Sequence, residues 1–135
     1  MIVPAGMEAI LERFRYAPGV MVDERTLYVS GQVGRDEQLR VVAEPEAQYE
    51  RCFENVGKVL AAAGFDFCDV VELYTWHVEF PGDLALFMSV KDRWIKGPVY
   101  PTWTGFGVKS FSTPGLLCEV KVTAVRGGAG PGRGA

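Results

Sequence analysis

Asp69 to Val78, which reads DVVELYTWHV, is the segment that decides the fold. It is rich in β-branched and aromatic residues, which favour a strand. Large apolar residues occupy both alternating sets of its positions, whereas a strand with one solvated face alternates apolar with polar residues. We therefore expect this strand to lie in a sheet whose two faces are both buried.

The residues after this segment predict one helix and two strands. A Pro-Gly-Asp turn at 81–83 leads into an apolar pattern of helical period, which predicts a helix from about Leu84 to Ile95. The pair Gly97-Pro98 ends this helix. Two last strands are expected near Thr102 to Ser110 and near Leu116 to Val125.

The residues before the segment predict two strands and a longer helix. Thr26 to Val33 reads as a strand that forms a hairpin with a first strand at about Phe14 to Val22. A short extended piece is expected around Leu39 to Val42. From Glu46 to Ala63 the apolar residues recur at three- and four-residue steps, which predicts an amphipathic helix.

The predicted order of elements, β-β-(β)-α-β-α-β-β, indicates a mixed α/β fold of the α+β type. It corresponds to one mixed sheet with two helices packed together on one face. The other face then has no helix to cover it, so a homo-oligomer with clefts between subunits is the simplest solution. Residues 1–126 are expected to form a single domain. The tail at 127–135 has five glycines in nine residues and is expected to be disordered.

Composition argues against several classes of partner. The chain has 135 residues, 48% hydrophobic and 23% charged, with a formal net charge of -3. This balance fits a globular protein and opposes binding to a phosphate backbone, so nucleic acid is not an expected partner. No apolar run is long enough to span a membrane, and the first residues lack the features of a signal peptide. We therefore expect a cytoplasmic protein with no membrane partner.

Cysteine and histidine do not form the pattern of a metal site. The three cysteines, Cys52, Cys68 and Cys118, include no C-x-x-C pair, and His77 is the only histidine. No metal is expected, and the absence of glycine-rich nucleotide motifs predicts no cofactor. A serine-histidine-acid triad through Ser30 is formally open, but no G-x-S-x-G turn is present. A hydrogen-bonded strand histidine is the simpler interpretation of His77.

Six short motifs, in order along the chain, carry a resemblance to a known family. They are Tyr16-Ala17-Pro18, Leu27 to Val33, Leu60 to Gly64, Asp69-Val70-Val71, Tyr100-Pro101-Thr102 and Cys118-Glu119-Val120. Together they resemble the Rid family, also called YjgF, of reactive-intermediate deaminases, and in particular its YjgH-type branch. The resemblance implies a chorismate-mutase-like fold, assembled as a homotrimer with three ligand clefts between subunits.

The resemblance also implies which residues line a cleft for a small metabolite. In deaminating members, an arginine at the position of Trp103 binds the substrate carboxylate, and positions matching Tyr16, Ser30, Gly31 and Glu119 face the ligand. Glu119 would hold a water for hydrolysis, acting as the catalytic acid or base. A lysine-paired carboxylate on a solvated strand face is the alternative for Glu119.

Trp103 departs from this pattern, because an indole offers one N–H donor and no charge. It either fills a disused cleft or forms a stacking platform for an apolar ligand. Lys91 lies within the apolar stripe of the helix at 84–95. It either extends to the helix edge or replaces the arginine as an anion anchor. Thr104, next to Trp103, is counted with the ligand-binding residues.

Three functions follow from these residues. The first is a hydrolase, deaminase-like, that acts on a small enamine or imine through Glu119 and a water. The second is a non-catalytic trimer that binds a small metabolite beside Trp103. RNA cleavage, suggested by ribonuclease and translation-inhibitor labels attached to the family, ranks last because the acidic charge and the single histidine oppose it. The missing arginine argues against the usual 2-imino acid deamination.

Overall fold

The computed structural model describes residues 1–127, and within them the chain forms one sheet and three α-helices. The helices are α1 (Glu8–Phe14), α2 (Pro45–Ala62) and α3 (Leu84–Trp94). The strands are β1 (Gly19–Met21), β2 (Thr26–Val29), β3 (Gln32–Val33), β4 (Val70–His77), β5 (Thr102–Gly107) and β6 (Cys118–Val125). A short 3₁₀ turn at Phe67–Asp69 leads into β4. Apart from Gly127, the predicted tail lies outside the described residues.

The sheet is mixed, as predicted. Its strand order is β1-β2-β6-β4-β5, and β3 also pairs with β6. The β4–β5 pair is parallel and the other pairs are antiparallel. The segment that decided the fold, now β4, therefore lies inside the sheet, between β6 and β5.

Helices α2 and α3 pack on each other and on one face of this sheet, which confirms the predicted layering. The core joins Phe53 and Val56 of α2 and Phe87 of α3 to Leu73 and Val122 of the sheet, all at most 1% exposed. Burial of such side chains is worth about 1.5–3 kcal/mol each. This layer is the main source of stability and fixes the positions of the strand residues that carry the site.

Local sequence explains where α2 begins and ends. The carboxylate of Glu44 accepts a hydrogen bond from the Ala47 amide at 2.7 Å, and Pro45 occupies the first helical turn, where no amide hydrogen is needed. After the helix, Gly64 takes φ = +80°, a left-handed conformation that costs glycine little. The chain then turns back towards β4.

Three predicted boundaries are wrong. Helix α1 was not predicted, and Phe14 ends it instead of beginning a strand, so the first strand is only Gly19–Met21. Strand Thr26 to Val33 is interrupted between β2 and β3, where Ser30 and Gly31 leave the ladder. The extended piece at Leu39 to Val42 is reduced to an isolated bridge between Arg35 and Val41. These segments make few ladder bonds, so tertiary contacts override their local preference.

The second face of the sheet is aromatic, and α2 and α3 both lie against the other face. Trp76 of β4 stacks against Tyr74 at 6.1 Å and against Phe106 of β5 at 6.1 Å. Phe106 is 43% exposed, and Tyr28 of β2, on the same face, is 51% exposed. This confirms that the helices cover only one face. None of the described helices is long and apolar enough to cross a membrane.

Candidate functional site

The predicted ligand-binding residues lie on opposite faces of the sheet. Glu119 pairs with Trp76 of β4, so it projects onto the aromatic face. Trp103 pairs with Leu73 of β4 and contacts Phe87 of α3, so it projects onto the helix-covered face. One chain therefore carries two separate groups of candidate site residues.

The first group surrounds Glu119 in a pocket of about 110 Å³. Its lining residues are Tyr16, Gly31, Val33, Arg35, Phe111, Ser112, Leu116 and Glu119. Ser30 does not line it, because its hydroxyl donates to the Ala17 carbonyl at 2.6 Å. That bond joins β2 to the segment that carries Tyr16. The sequence prediction therefore brings together three residues of this pocket, while Ser30 has a supporting role.

Gly31 lets the Glu119 carboxylate lie against the main chain. A Cβ built at Gly31 would lie 2.5 Å from Oε2 and 2.6 Å from Cδ of Glu119, closer than real contacts allow. The absence of a side chain at this position is thus what admits the carboxyl group. Gly31 therefore lines the same pocket as the Glu119 carboxyl group.

The protonation of Glu119 is shifted by its surroundings. Burial raises the pKa of this carboxyl group, and the positive charge of Arg35 only partly opposes the shift. Glu119 therefore keeps its proton to a higher pH than a glutamate in water. A carboxyl group of this kind can donate and recover a proton closer to neutral pH.

Arg35 is the charged residue of this pocket that was not predicted from the sequence. Its Nη2 donates to the Tyr16 hydroxyl at 3.2 Å, and its guanidinium carbon lies 5.3 Å from the centre of the Phe14 ring. It also lines an adjoining groove of about 370 Å³ with Phe14, Tyr16, Ser112 and Thr113. In the sequence, Arg35 is the first residue of a charged run, Arg35-Asp36-Glu37, directly after Gly34, and nothing in that run marks it as a pocket residue.

The second group is formed by Trp103 and Lys91. The ammonium group of Lys91 lies 5.0 Å from the Trp103 ring centre and donates to Asp92 at 2.9 Å. Trp103 is 36% exposed and packs on Phe87 at 6.2 Å. Its ring is thus held by α3 on one side and remains partly open, which is consistent with the stacking-platform interpretation. Thr104 is exposed and projects onto the opposite face of the sheet.

Behind Trp103 runs a buried hydrogen-bond chain. The indole Nε1 donates to Thr75 Oγ1 at 3.0 Å, Thr75 bonds to His77 Nε2 at 2.8 Å, and His77 Nδ1 bonds to Asp83 at 2.8 Å. The Asp83 carboxylate acts as an acceptor, so the imidazole proton is assigned to Nδ1. Thr75 Oγ1 then accepts the indole N–H and donates its own hydrogen to Nε2. Tyr49 completes the chain by donating to Asp83 at 3.0 Å. His77 is therefore the hydrogen-bonded strand histidine that was expected, and Ser30 is not its partner.

One group within the described residues brings possible metal ligands together. Atoms of Asp66, Cys68 and Asp69 lie within 4.8 Å of one another at the 3₁₀ turn before β4. Asp66 accepts from the Cys68 amide at 2.9 Å, while Asp69 accepts from the Asp66 amide at 3.0 Å. This reciprocal capping box explains why the carboxylates are close together.

Comparisons with known proteins agree with this fold. The family model described as Endoribonuclease L-PSP matches residues 7–126. The chain belongs to this family, the Rid/YjgF family, which confirms the resemblance seen in the sequence.

Two relatives and one solved structure show how similar the chain is to particular members of the family. The chain is 32% identical to the RutC family protein YjgH of Escherichia coli (strain K12) over 123 residues, which are 91% of this chain and 92% of that protein. It is 43% identical over 115 residues to the 2-iminobutanoate/2-iminopropanoate deaminase of Rattus norvegicus, across 83% of this chain and 80% of the relative. A solved structure of protein YJGH superposes with a TM-score of 0.84 at 31% identity, covering 93% and 94% of the two chains.

Proposed function

We propose that this protein hydrolyses a small imine or enamine metabolite, with Glu119 transferring the protons. The observation that carries the proposal is the Glu119 carboxyl group, whose pKa is raised, in a pocket that also holds the Tyr16 hydroxyl and the Arg35 guanidinium. Relatives named 2-iminobutanoate/2-iminopropanoate deaminase support this class of reaction.

The chemistry needs one proton donor and one water. Protonated Glu119 gives its proton to the imine nitrogen, and the resulting carboxylate accepts a proton as water adds to the carbon of the C=N bond. The C–O bond forms first and gives an amino alcohol. Protonated Glu119 then gives its proton to the amino nitrogen, and its carboxylate takes the hydroxyl proton as the C–N bond breaks, which releases ammonia and a carbonyl product. Tyr16 accepts a hydrogen bond from Arg35, so its own hydrogen is available to orient the water or the substrate.

A homotrimer would unite the two groups of site residues. Because Glu119 and Trp103 project from opposite faces of one sheet, a cleft that contains both must combine residues of two copies. The exposed aromatic face around Trp76 supplies apolar surface for such an interface. We therefore include intersubunit clefts in the proposal.

The assembly is tested by light scattering after size-exclusion chromatography. We expect a particle of three times the 14.8 kDa chain mass, and we expect Trp76→Arg to dissociate it by burying a charge in the interface. Ala61→Arg, at an exposed position of α2 on the helix-covered side of the sheet, is the control and should leave the mass unchanged. A wild-type particle of 14.8 kDa would contradict the proposed assembly.

Non-catalytic binding of a metabolite is the second candidate, and Trp103 favours it. In place of a charged fork, the structure offers a partly open indole ring with the Lys91 ammonium group against it. Such a surface suits stacking with an apolar or aromatic group.

The two candidates are separated by supplying freshly generated 2-iminobutanoate and following the release of ammonia. We expect wild type to accelerate hydrolysis above the uncatalysed rate. If wild type is inactive while Trp103→Arg gains activity, the scaffold is intact and the binding function is the correct one. If both proteins are inactive, hydrolysis of this substrate class is excluded.

Gly31→Ala should reduce hydrolysis without unfolding the protein. The new methyl group would overlap the Glu119 carboxyl group, which is the flexible end of its side chain and can move away. Displacement of a reacting group by about 1 Å can cost roughly 100-fold in rate. We expect kcat/KM to fall by about that factor while the unfolding temperature stays near that of wild type. Gly57→Ala, on α2 and outside the pocket, should change neither quantity strongly, and equal rates for Gly31→Ala and wild type would be the contradicting result.

A further inference from the structure

The Arg35 guanidinium lies at the junction of two cavities. It lines the Glu119 pocket of about 110 Å³ and the adjoining groove of about 370 Å³ that Phe14 and Thr113 also line. A ligand that extends from one cavity into the other must therefore pass this cation. Its position makes Arg35 a candidate for ligand recognition, in addition to its effect on the pKa of Glu119.

Arg35 differs in its partners from the ion-paired arginines of the described residues, such as Arg93 and Arg40. Arg93 bonds to two glutamates, and Arg40 bonds to Asp36 at 3.1 Å. Arg35 forms no ion pair with any carboxylate of residues 1–127, although Glu119 lines the same pocket. Its one side-chain hydrogen bond within that range goes to Tyr16. Since a guanidinium carries five N–H donors, this arrangement leaves donors for a bound molecule.

The main chain holds this cation in place. The Arg35 carbonyl accepts hydrogen bonds from Asn55 Nδ2 at 3.1 Å and from Arg51 Nε at 3.2 Å, both on α2. Its amide donates to the Val33 carbonyl at 2.9 Å, and its guanidinium rests over the Phe14 ring. A donor group that is fixed before binding loses little entropy when a ligand arrives.

From this placement we propose that Arg35 binds the carboxylate of the ligand in the Glu119 pocket. The assignment rests on the proposed function for the reaction at Glu119, and it names the ligand class as small monocarboxylates. The guanidinium takes the carboxylate by paired N–H bonds, and the reacting carbon then lies towards Glu119. A side chain larger than the inner pocket extends along the groove over Phe14.

Lys91, the anchor considered from the sequence, is less suited to this role. Its ammonium group already donates to Asp92 at 2.9 Å and lies against the Trp103 ring. It also belongs to the face of the sheet that does not carry Glu119. Arg35 is the cation that shares a pocket with the proton-transferring group in a single chain.

Binding of 2-oxobutanoate, an unreactive carboxylate, tests the assignment by isothermal titration calorimetry. Wild type should bind it much more tightly than 2-butanone, which lacks the carboxylate. Arg35→Met keeps the apolar stem over Phe14 and removes the charge, so affinity for 2-oxobutanoate should fall by about 10- to 100-fold. Arg35→Lys should recover part of the loss, because it restores the charge without the fork.

One matched variant serves as the control. Arg40→Met removes a surface arginine that pairs with Asp36, so it should not change the affinity strongly. Unchanged affinity in Arg35→Met, or a wild type that does not prefer 2-oxobutanoate to 2-butanone, would overturn the assignment. Thermal unfolding of each variant verifies that the fold is retained.

The test of the Arg35 assignment can fail or succeed independently of the test of the proposed hydrolysis. Binding of 2-oxobutanoate that depends on Arg35, in a wild type with no hydrolytic activity, would support the anchor and reject the reaction. Hydrolysis that depends on Glu119 but is unaffected by Arg35→Met would support the reaction and reject the anchor.

Discussion

Glu119→Gln should abolish most of the hydrolytic activity while the protein stays folded and still binds 2-oxobutanoate. Glutamine keeps the shape of the side chain but can neither give up nor recover a proton at this site. General acid–base groups contribute typically 10²- to 10⁴-fold to rate, so we expect kcat/KM to fall by about that factor. Steady-state release of ammonia from freshly generated 2-iminobutanoate measures the effect.

Glu54→Gln provides the matched control for this change. Glu54 lies on α2, is 44% exposed and pairs with Arg51 at 3.6 Å, outside the Glu119 pocket. Its replacement should leave the rate within a factor of two of wild type. A Glu119→Gln enzyme as active as this control would show that the carboxyl group does not transfer the protons.

The raised pKa of Glu119 also predicts how this substitution affects stability. Between the usual glutamate pKa and the raised value, the folded state retains a proton that the unfolded state has lost. The free energy of unfolding of wild type therefore decreases as pH rises through this window, and Glu119→Gln removes the penalty. We expect the variant to gain stability relative to wild type at pH 7 but not at about pH 4. Thermal unfolding at the two pH values measures the difference, and equal differences would contradict the shift.

The central part of the fold could be predicted because its sequence signal is strong. Segment 69–78 has large apolar residues at both alternating sets of positions, and the structure places β4 between two strands. Helix α2 has five turns of amphipathic periodicity, whereas α1 has seven residues and one buried side chain, Ile10, within its bounds. Such a short helix gives almost no periodic signal, so it was not predicted, and only its last residue, Phe14, was assigned to a strand.

The site was only partly predictable for physical reasons. Tyr16, Gly31 and Glu119 could be predicted to lie in one cleft, because each belongs to a motif that resembles the family. The opposite placement of Trp103 depends on the register of β5 against β4, which local sequence does not encode. Arg35 was missed because a long side chain that reaches a pocket from a loop has no periodicity.

Asp83→Ala should destabilise the protein by about 3 kcal/mol, the largest stability change expected among the polar residues of the core. Asp83 Oδ2 accepts from Tyr49 at 3.0 Å and bonds to His77 at 2.8 Å, and both partners are at most 1% exposed. Burial and the charge of Asp83 raise the pKa of Tyr49, so its phenol remains a donor. Each buried donor that loses its acceptor costs about 1–3 kcal/mol.

Urea unfolding at fixed protein concentration measures this loss, with Asp92→Ala as the matched control. Asp92 lies on α3, the helix that Asp83 directly precedes, but its side chain is 62% exposed, so its removal should cost about 0.5 kcal/mol or less. Tyr49→Phe should cost less in the Asp83→Ala background than in wild type, because the shared acceptor is already absent.

The Asp83→Ala change should also alter the surroundings of Trp103. Without Asp83, the tautomer of His77 is no longer fixed, so the Thr75 hydroxyl can change its hydrogen-bond partner. The NMR signal of the Trp103 indole N–H should therefore shift. A loss no larger than that of Asp92→Ala, with the Trp103 signal unmoved, would show that this buried chain neither stabilises the core nor positions Trp103.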